Sequence, residues 1–158
     1  MAETQVTRAT WRNSVTFDVA VGKHQVVMDG NSPGGNDDGP QPTEALLSAL
    51  AACTGMDVIS ILLKKRQPVK SLEVVVKGKR ADEHPRVFTE IQVVYYVRGE
   101  VAPNALARAI ELSETKYCPI SIMLRQACPI TSRFEIEPAT PSNEFVANEP
   151  TPSNKFDG

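Results

Sequence analysis

The sequence has few of the features that would assign it to common functional classes. Its 158 residues carry a formal net charge of -2, and no basic run exceeds Lys64, Lys65 and Arg66. Nucleic acids and anionic membranes attract surplus positive charge, so neither is an expected partner. The longest uncharged apolar run, Ala45 to Met56, is shorter than the roughly 20 residues of a membrane span, and the N-terminus lacks an apolar signal segment. We expect a soluble, cytoplasmic protein.

Cysteine and histidine are also scarce. Three cysteines without an export signal argue against a structural disulfide framework and for reduced, reactive thiols. There is no Cys-x-x-Cys pair, and both histidines are far from any cysteine along the chain. These spacings do not match those of structural zinc sites. The sequence therefore predicts no metal site and no cofactor.

Composition divides the chain once, after Pro138. Residues 1–138 have the length and apolar content of one domain, which would bury roughly two thirds of its unfolded surface. Residues 139–158 are rich in Pro, Ser, Asn, Thr and Glu, and a Thr-Pro-Ser-Asn-x-Phe segment occurs twice there. Such a composition has little to bury. We expect a disordered tail, with a docking motif as the alternative explanation of the repeat.

Hydrophobic periodicity within residues 1–138 predicts both strands and helices, in the order strands, helix, strands, helices, strand. Strands alternate apolar and polar residues, whereas helices repeat apolar residues every three or four positions. The predicted elements are strands Val15 to Val21 and His24 to Met28, a helix Pro42 to Arg66, strands Ser71 to Lys79 and Val87 to Arg98, helices Pro103 to Lys116 and Cys118 to Gln126, and a strand Ser132 to Glu137.

The long helix is apolar almost all round. Its main stripe has steps of four and three residues and consists of Ala45, Ala49, Ala52, Met56, Ile59 and Leu63. A helix that is apolar on nearly every face must be covered by other elements. The remaining strands of one chain supply little cover, which agrees with an obligate dimer.

The cysteines differ in their local surroundings. Cys53 is in the middle of the long helix, where burial and the negative charge of Asp57 one turn later both disfavour a thiolate, so a reactive Cys53 needs a cation from elsewhere. Without one, it is a small buried hydrophobic residue. Cys118 precedes Pro119 at a predicted helix start, where free amides lower the pKa of a thiol. Cys128 leads into a strand and is interpreted as a packing residue.

Two cysteine motifs together resemble the OsmC/Ohr family of osmotically inducible and organic hydroperoxide resistance proteins. They are Gly39-Pro-Gln-Pro-Thr-Glu-Ala-Leu-Leu-Ser-Ala-Leu-Ala-Ala-Cys53-Thr-Gly-Met-Asp-Val and Lys116-Tyr-Cys118-Pro-Ile-Ser121. The resemblance covers about residues 5 to 138. It implies an α+β, OsmC-like fold in which curved antiparallel sheets enclose two long central helices, and an intertwined homodimer with its active sites at the subunit interface.

The resemblance also implies a chemistry. Cys53 would be the peroxidatic residue and Cys118 the resolving residue of a thiol-dependent peroxidase that reduces organic hydroperoxides. The Cys53 sulfenic acid would condense with Cys118 to a disulfide, which a dithiol reductant of the lipoyl type would reduce.

The family site further carries an arginine held by a glutamate. Glu44 aligns with the carboxylate of the first motif, but it precedes Cys53 by nine residues, about 13 Å along a helix, so it would act only by positioning another group. Arg12, beside Trp11, is preferred to Arg8 as the activating arginine, and the alternative interpretation is an exposed arginine on an edge strand. The alternative hypothesis, favoured by Asp57, is a non-catalytic OsmC-like stress protein or lipid-binding dimer.

Overall fold

The computed structural model describes residues 2–31 and 33–139. The predicted tail, apart from Ala139, lies outside this part of the chain. The described residues form two three-stranded sheets, one long helix and two short helices, which confirms the predicted α+β class.

The N-terminal sheet consists of β1 (Thr7–Asn13), β2 (Thr16–Val21) and β3 (His24–Met28), antiparallel and in that order. The predicted hairpin is confirmed as β2 and β3. Gly22 has a φ of 58° at the tip of their turn, a conformation that glycine adopts without strain. The main contacts of these strands are with one another, so the sheet projects from the rest of the chain.

The long helix α1 (Pro42–Lys64) begins and ends close to its predicted limits. Pro42 occupies the first turn, and the Glu44 side chain accepts a hydrogen bond of 2.9 Å from the backbone N–H of Gln41. This contact satisfies an amide that has no partner within the helix. Arg66, with a φ of 54°, and then Pro68 prevent the helix from continuing.

The second sheet contains β4 (Val69–Arg80), β5 (Phe88–Gly99) and β6 (Ile130–Glu137), in that order. β4 and β5 form an antiparallel hairpin, but β6 pairs with β5 in parallel. The expectation of wholly antiparallel sheets is therefore wrong for β6. The chain reaches β6 from β5 through two helices, and a parallel neighbour requires such a crossover.

The crossover runs through α2 (Pro103–Leu112), a π-helical turn (Ser113–Tyr117) and α3 (Pro119–Leu124). One helix over the whole span 103–116 was expected, but its last residues adopt the wider π geometry. In that turn the backbone N–H of Cys118 donates to the carbonyl of Ser113 at 2.8 Å. The turn thereby fixes where the chain stops before α3.

The core lies between one face of α1, the inner face of the second sheet, and α2. Leu50, Val58 and Leu62 on α1 are buried there with Tyr95 of β5 and Leu106 of α2. The rest of α1 is open: only 22% of its most apolar 18 residues is buried. By length and composition α1 would suffice to cross a membrane, but a core helix of a soluble protein meets the same criterion.

The open face of α1 is the predicted apolar stripe. Met56 and Leu63 are 69% and 60% exposed. A groove of about 430 Å³ runs between this face and β4, with Met56 and Ile59 among its walls. Within residues 2–31 and 33–139, the face of α1 that carries Met56 and Leu63 is therefore largely uncovered by other elements.

Candidate active site

The structure brings two cysteines into direct contact. Cys53, at the middle of α1, and Cys118, immediately before α3, are 65 residues apart in sequence, yet their Sγ atoms are 2.9 Å apart. Both are free thiols, and the S–H of Cys118 donates toward the sulfur of Cys53. The pairing implied by the sequence motifs is therefore sterically available within one chain.

The two sulfurs differ in depth. Cys118 is completely buried, whereas Cys53 is partly accessible. The Sγ of Cys118 accepts a hydrogen bond of 3.3 Å from the backbone N–H of Ser121 in the first turn of α3. A reagent from solvent therefore reaches Cys53 first.

Burial controls the ionisation of Cys118. It raises the pKa of this thiol to about 12, and the hydrogen bond to Cys53 adds to the effect. The amides of Ser121 and Ile120 act in the opposite direction, as expected at a helix start, but they are outweighed. The amides at this helix start do lower the pKa of Cys118, as predicted, but burial raises it by more. The predicted net lowering of the pKa is therefore wrong.

A chain of hydrogen bonds passes beside the cysteine pair. The Thr54 hydroxyl contacts the Tyr95 hydroxyl at 2.5 Å and the Ser113 hydroxyl at 2.9 Å. Ser113 in turn donates to Oδ2 of Asp57 at 2.9 Å. Burial raises the pKa of Tyr95 to about 12, so this phenol stays protonated at neutral pH. The chain joins α1, β5 and the π-helical turn around the sulfurs.

Asp57 belongs to the same site. It follows Cys53 by four residues on α1, which places both side chains on one face of the helix. One carboxylate oxygen of Asp57 and the sulfurs of Cys53 and Cys118 lie within 4.8 Å of one another. The site thus contains two thiols in contact and a carboxylate close to both of them.

The other predicted site residues lie elsewhere in the chain. Arg12, on β1, forms an exposed ion pair with Asp18 on β2, and its guanidinium lowers the pKa of that carboxyl. Glu44 forms the cap of α1, as described above. Neither residue is brought to the sulfurs within one chain, and Arg8 lies on the same projecting sheet. Their catalytic roles stay predictions.

An arginine–glutamate pair that the sequence analysis missed lies closer to the site. Arg125, just after α3, binds Glu114 of the π-helical turn at 3.1 Å and the carbonyl of Ile130 at 2.9 Å. Both charges act on Tyr95: Glu114 raises the pKa of its phenol and Arg125 lowers it. Oε1 of Glu114 is buried without a hydrogen-bond partner among the described residues.

The third cysteine is separate from this site. Cys128 is buried between α3 and β6 as part of the core, in agreement with its interpretation as a packing residue. It is a free thiol.

A model of the OsmC-like protein family matches residues 34–133 of this chain. The chain belongs to the OsmC-like protein family. The matched segment includes both cysteines of the pair as well as Asp57 and Ser113. The family resemblance found in the two sequence motifs is thereby confirmed.

Individual OsmC-like relatives agree with this assignment. Protein YhfA of Escherichia coli strain K12 is 40% identical over 131 residues, which cover 82% of this chain and 96% of YhfA. The crystal structure of a hypothetical protein from Aquifex aeolicus VF5 is 31% identical, with a TM-score of 0.75 over 86% of this chain and 99% of its own.

The same fold occurs in a protein named for organic hydroperoxide resistance. The organic hydroperoxide resistance protein OhrB of Bacillus subtilis has a TM-score of 0.60 over 84% of this OsmC-like chain and 98% of its own, at 15% identity. At that identity the likeness shows a shared fold alone.

Proposed function

We propose that this protein is a cysteine-based peroxidase that reduces organic hydroperoxides. The observation that carries the proposal is the 2.9 Å contact between the sulfurs of Cys53 and Cys118. Two reduced thiols held this close can pass from a sulfenic acid to a disulfide without rearrangement of the fold. The resemblance of the two cysteine motifs to the OsmC/Ohr family motivates the choice of organic hydroperoxides as the substrate class.

The depth of each sulfur supports the assignment of roles. Cys53 is the accessible thiol, so it attacks the outer peroxide oxygen, breaks the O–O bond and becomes a sulfenic acid, while the other oxygen leaves as an alcohol. Cys118, buried against Cys53, then gives up its proton and its sulfur attacks the sulfenic sulfur, so that the disulfide forms and the hydroxyl group leaves with that proton as water. An external dithiol of the lipoyl type restores both thiols.

The open surfaces of the chain support a homodimer. The exposed stripe of α1 and the projecting N-terminal sheet are apolar surfaces that a second copy would cover. Two α1 helices would then lie at the centre of the dimer, and the reaction sites would be near the interface. Arg12 would reach a site only through such packing.

The decisive experiment is mass spectrometry of the reduced protein after addition of cumene hydroperoxide. We expect loss of two hydrogens per chain, mapped by peptide analysis to a link between Cys53 and Cys118, with Cys128 unchanged. A protein that stays reduced, or oxidises slowly at all three cysteines, contradicts the proposal.

A non-catalytic ligand-binding dimer is the second candidate function. The hydrogen bonds to the two sulfurs come from each other and from Ser121, and none from a guanidinium is found among the described residues. The apolar groove along α1 offers space for a lipid-like molecule. This candidate predicts that the protein stays reduced, or oxidises slowly at all three cysteines, when cumene hydroperoxide is added.

A further inference from the structure

Three potential metal ligands converge at the cysteine pair. The sulfurs of Cys53 and Cys118 and one carboxylate oxygen of Asp57 lie within 4.8 Å of one another. Ligand atoms around a tetrahedral zinc ion are about 3.5 to 3.8 Å apart. The two sulfurs are 2.9 Å apart, so they would have to separate by roughly 0.9 Å to bind one ion between them.

The chemistry of the three ligands suits a borderline-soft divalent cation. Thiolates select zinc over magnesium or calcium, and a carboxylate completes many zinc sites. Two thiolates and Asp57 carry three negative charges, which a divalent cation reduces to one. Cys53 and Asp57 are partly exposed, so an ion has a path to the buried sulfur of Cys118.

The surroundings also hold the carboxylate in place. The Ser113 hydroxyl donates to Oδ2 of Asp57, and Thr54 binds Ser113 in turn. Outer hydrogen bonds of this kind orient metal ligands and strengthen binding. With three protein ligands, the fourth tetrahedral position stays open to water or to a small thiol.

We propose that the reduced form of this protein binds one zinc ion through Cys53, Cys118 and Asp57, and that this binding competes with disulfide formation. Zinc displaces one proton from each thiol, so two protons are released and no electron is transferred. The same two sulfurs cannot bind the ion and each other. That zinc thereby regulates the peroxidase rests on the proposed function, whereas the metal site itself does not.

The test uses the reduced full-length protein, freed of metal, and cobalt(II) as a spectroscopic probe followed by zinc. We expect one equivalent of cobalt per chain, a thiolate-to-cobalt charge-transfer band, and loss of that band on addition of zinc. Cys53→Ala and Cys118→Ala should lose the band, whereas Cys128→Ala should retain it as the matched control. Asp57→Asn should weaken binding at least about tenfold.

Two measurements on the wild type guard against misfolded variants. Zinc should slow the alkylation of Cys53, the accessible thiol of the pair, as mapped by mass spectrometry. The form with the Cys53–Cys118 disulfide should give no cobalt band. A band that survives either alanine substitution, unchanged affinity in Asp57→Asn, or equal alkylation with and without zinc would overturn the inference.

The metal experiment and the peroxide experiment test the two proposals independently. Metal-free protein that forms the disulfide with peroxide but gives no cobalt band contradicts the metal site and leaves the peroxidase intact. Protein that binds cobalt through the three residues but resists peroxide contradicts the peroxidase and leaves the metal site intact.

Discussion

At the residue scale, Cys53 and Cys118 touch each other but differ in their access to solvent. Cys53 is partly exposed, and Cys118 is enclosed and protonated. Substitution of either residue should therefore stop the proposed reaction at a different step.

The two serine variants test this division of roles. Cys53→Ser should abolish the reaction with cumene hydroperoxide, because serine is not a nucleophile of comparable strength at neutral pH. Cys118→Ser should still react and accumulate a sulfenic acid at Cys53, which dimedone would trap for mass spectrometry. Equal loss of the first chemical step in both variants would contradict the assigned roles.

The enclosed thiol also predicts a dependence of stability on pH. Burial raises the pKa of Cys118 from 9.0 to about 12 in the folded chain. Its contribution is fully present below about pH 8, and it is lost as pH rises from about 9 toward 12, because the unfolded thiol ionises first. Under reducing conditions, the free energy of unfolding of the wild type should fall more steeply over this window than that of Cys118→Ala.

The difference in slope should be at most about 1.4 kcal/mol per pH unit for one group. Urea denaturation at several pH values measures it. Identical slopes would mean that Cys118 is not held protonated by the fold.

How far single residues could be predicted depends on whether a motif contains them. The two motifs that carry Cys53 and Cys118 were sufficient to pair them. Thr54, Tyr95 and Ser113 had no such signal, because single polar residues on three different elements leave no periodic trace in the sequence. Their hydrogen bonds exist only once α1, β5 and the π-helical turn are packed together.

At the element scale, local signals were reliable and tertiary pairings were not. Pro42, Glu44 and Pro68 marked the ends of α1 correctly because caps and breakers act within a few residues. The parallel pairing of β6 and the π-helical turn depend on contacts that local patterns do not encode.

Glu44 gives a prediction at this scale. Its side chain caps the first turn of α1 through the N–H of Gln41. Glu44→Ala should lower the free energy of unfolding by about 0.5 to 1.5 kcal/mol, the net contribution of a typical intramolecular hydrogen bond. Urea denaturation measures the change. The matched control is Glu100→Ala, since Glu100 is also exposed but does not belong to a helix. Equal effects of the two substitutions would contradict the capping role.

At the scale of the whole molecule, the main feature is the apolar stripe of α1, which the other described residues leave largely exposed. Its alternating steps of four and three residues are those of helices that pack side by side. The dimer proposed for this chain would bury Met56 and Leu63, which a single chain leaves largely exposed.

A single charge tests that packing. Met56→Asp should convert a dimer into monomers, because an unpaired carboxylate would be buried at the centre of the interface. Met123→Asp is the matched control: this methionine is 62% exposed on α3, outside the stripe, and the variant should stay dimeric. Analytical ultracentrifugation distinguishes the two states. A monomeric wild type, or a dimeric Met56→Asp, would contradict the proposed assembly.

Because the two sulfurs differ in burial, an external thiol can reduce the Cys53–Cys118 disulfide only by attacking one particular sulfur first. An incoming thiol can form its transient mixed disulfide only with Cys53, since Cys118 presents no surface to attack. Cys118 must then be the leaving group, and it regains its proton inside the protein. The protein should for this reason discriminate among reductants by their width, favouring slender flexible dithiols over broad protein surfaces.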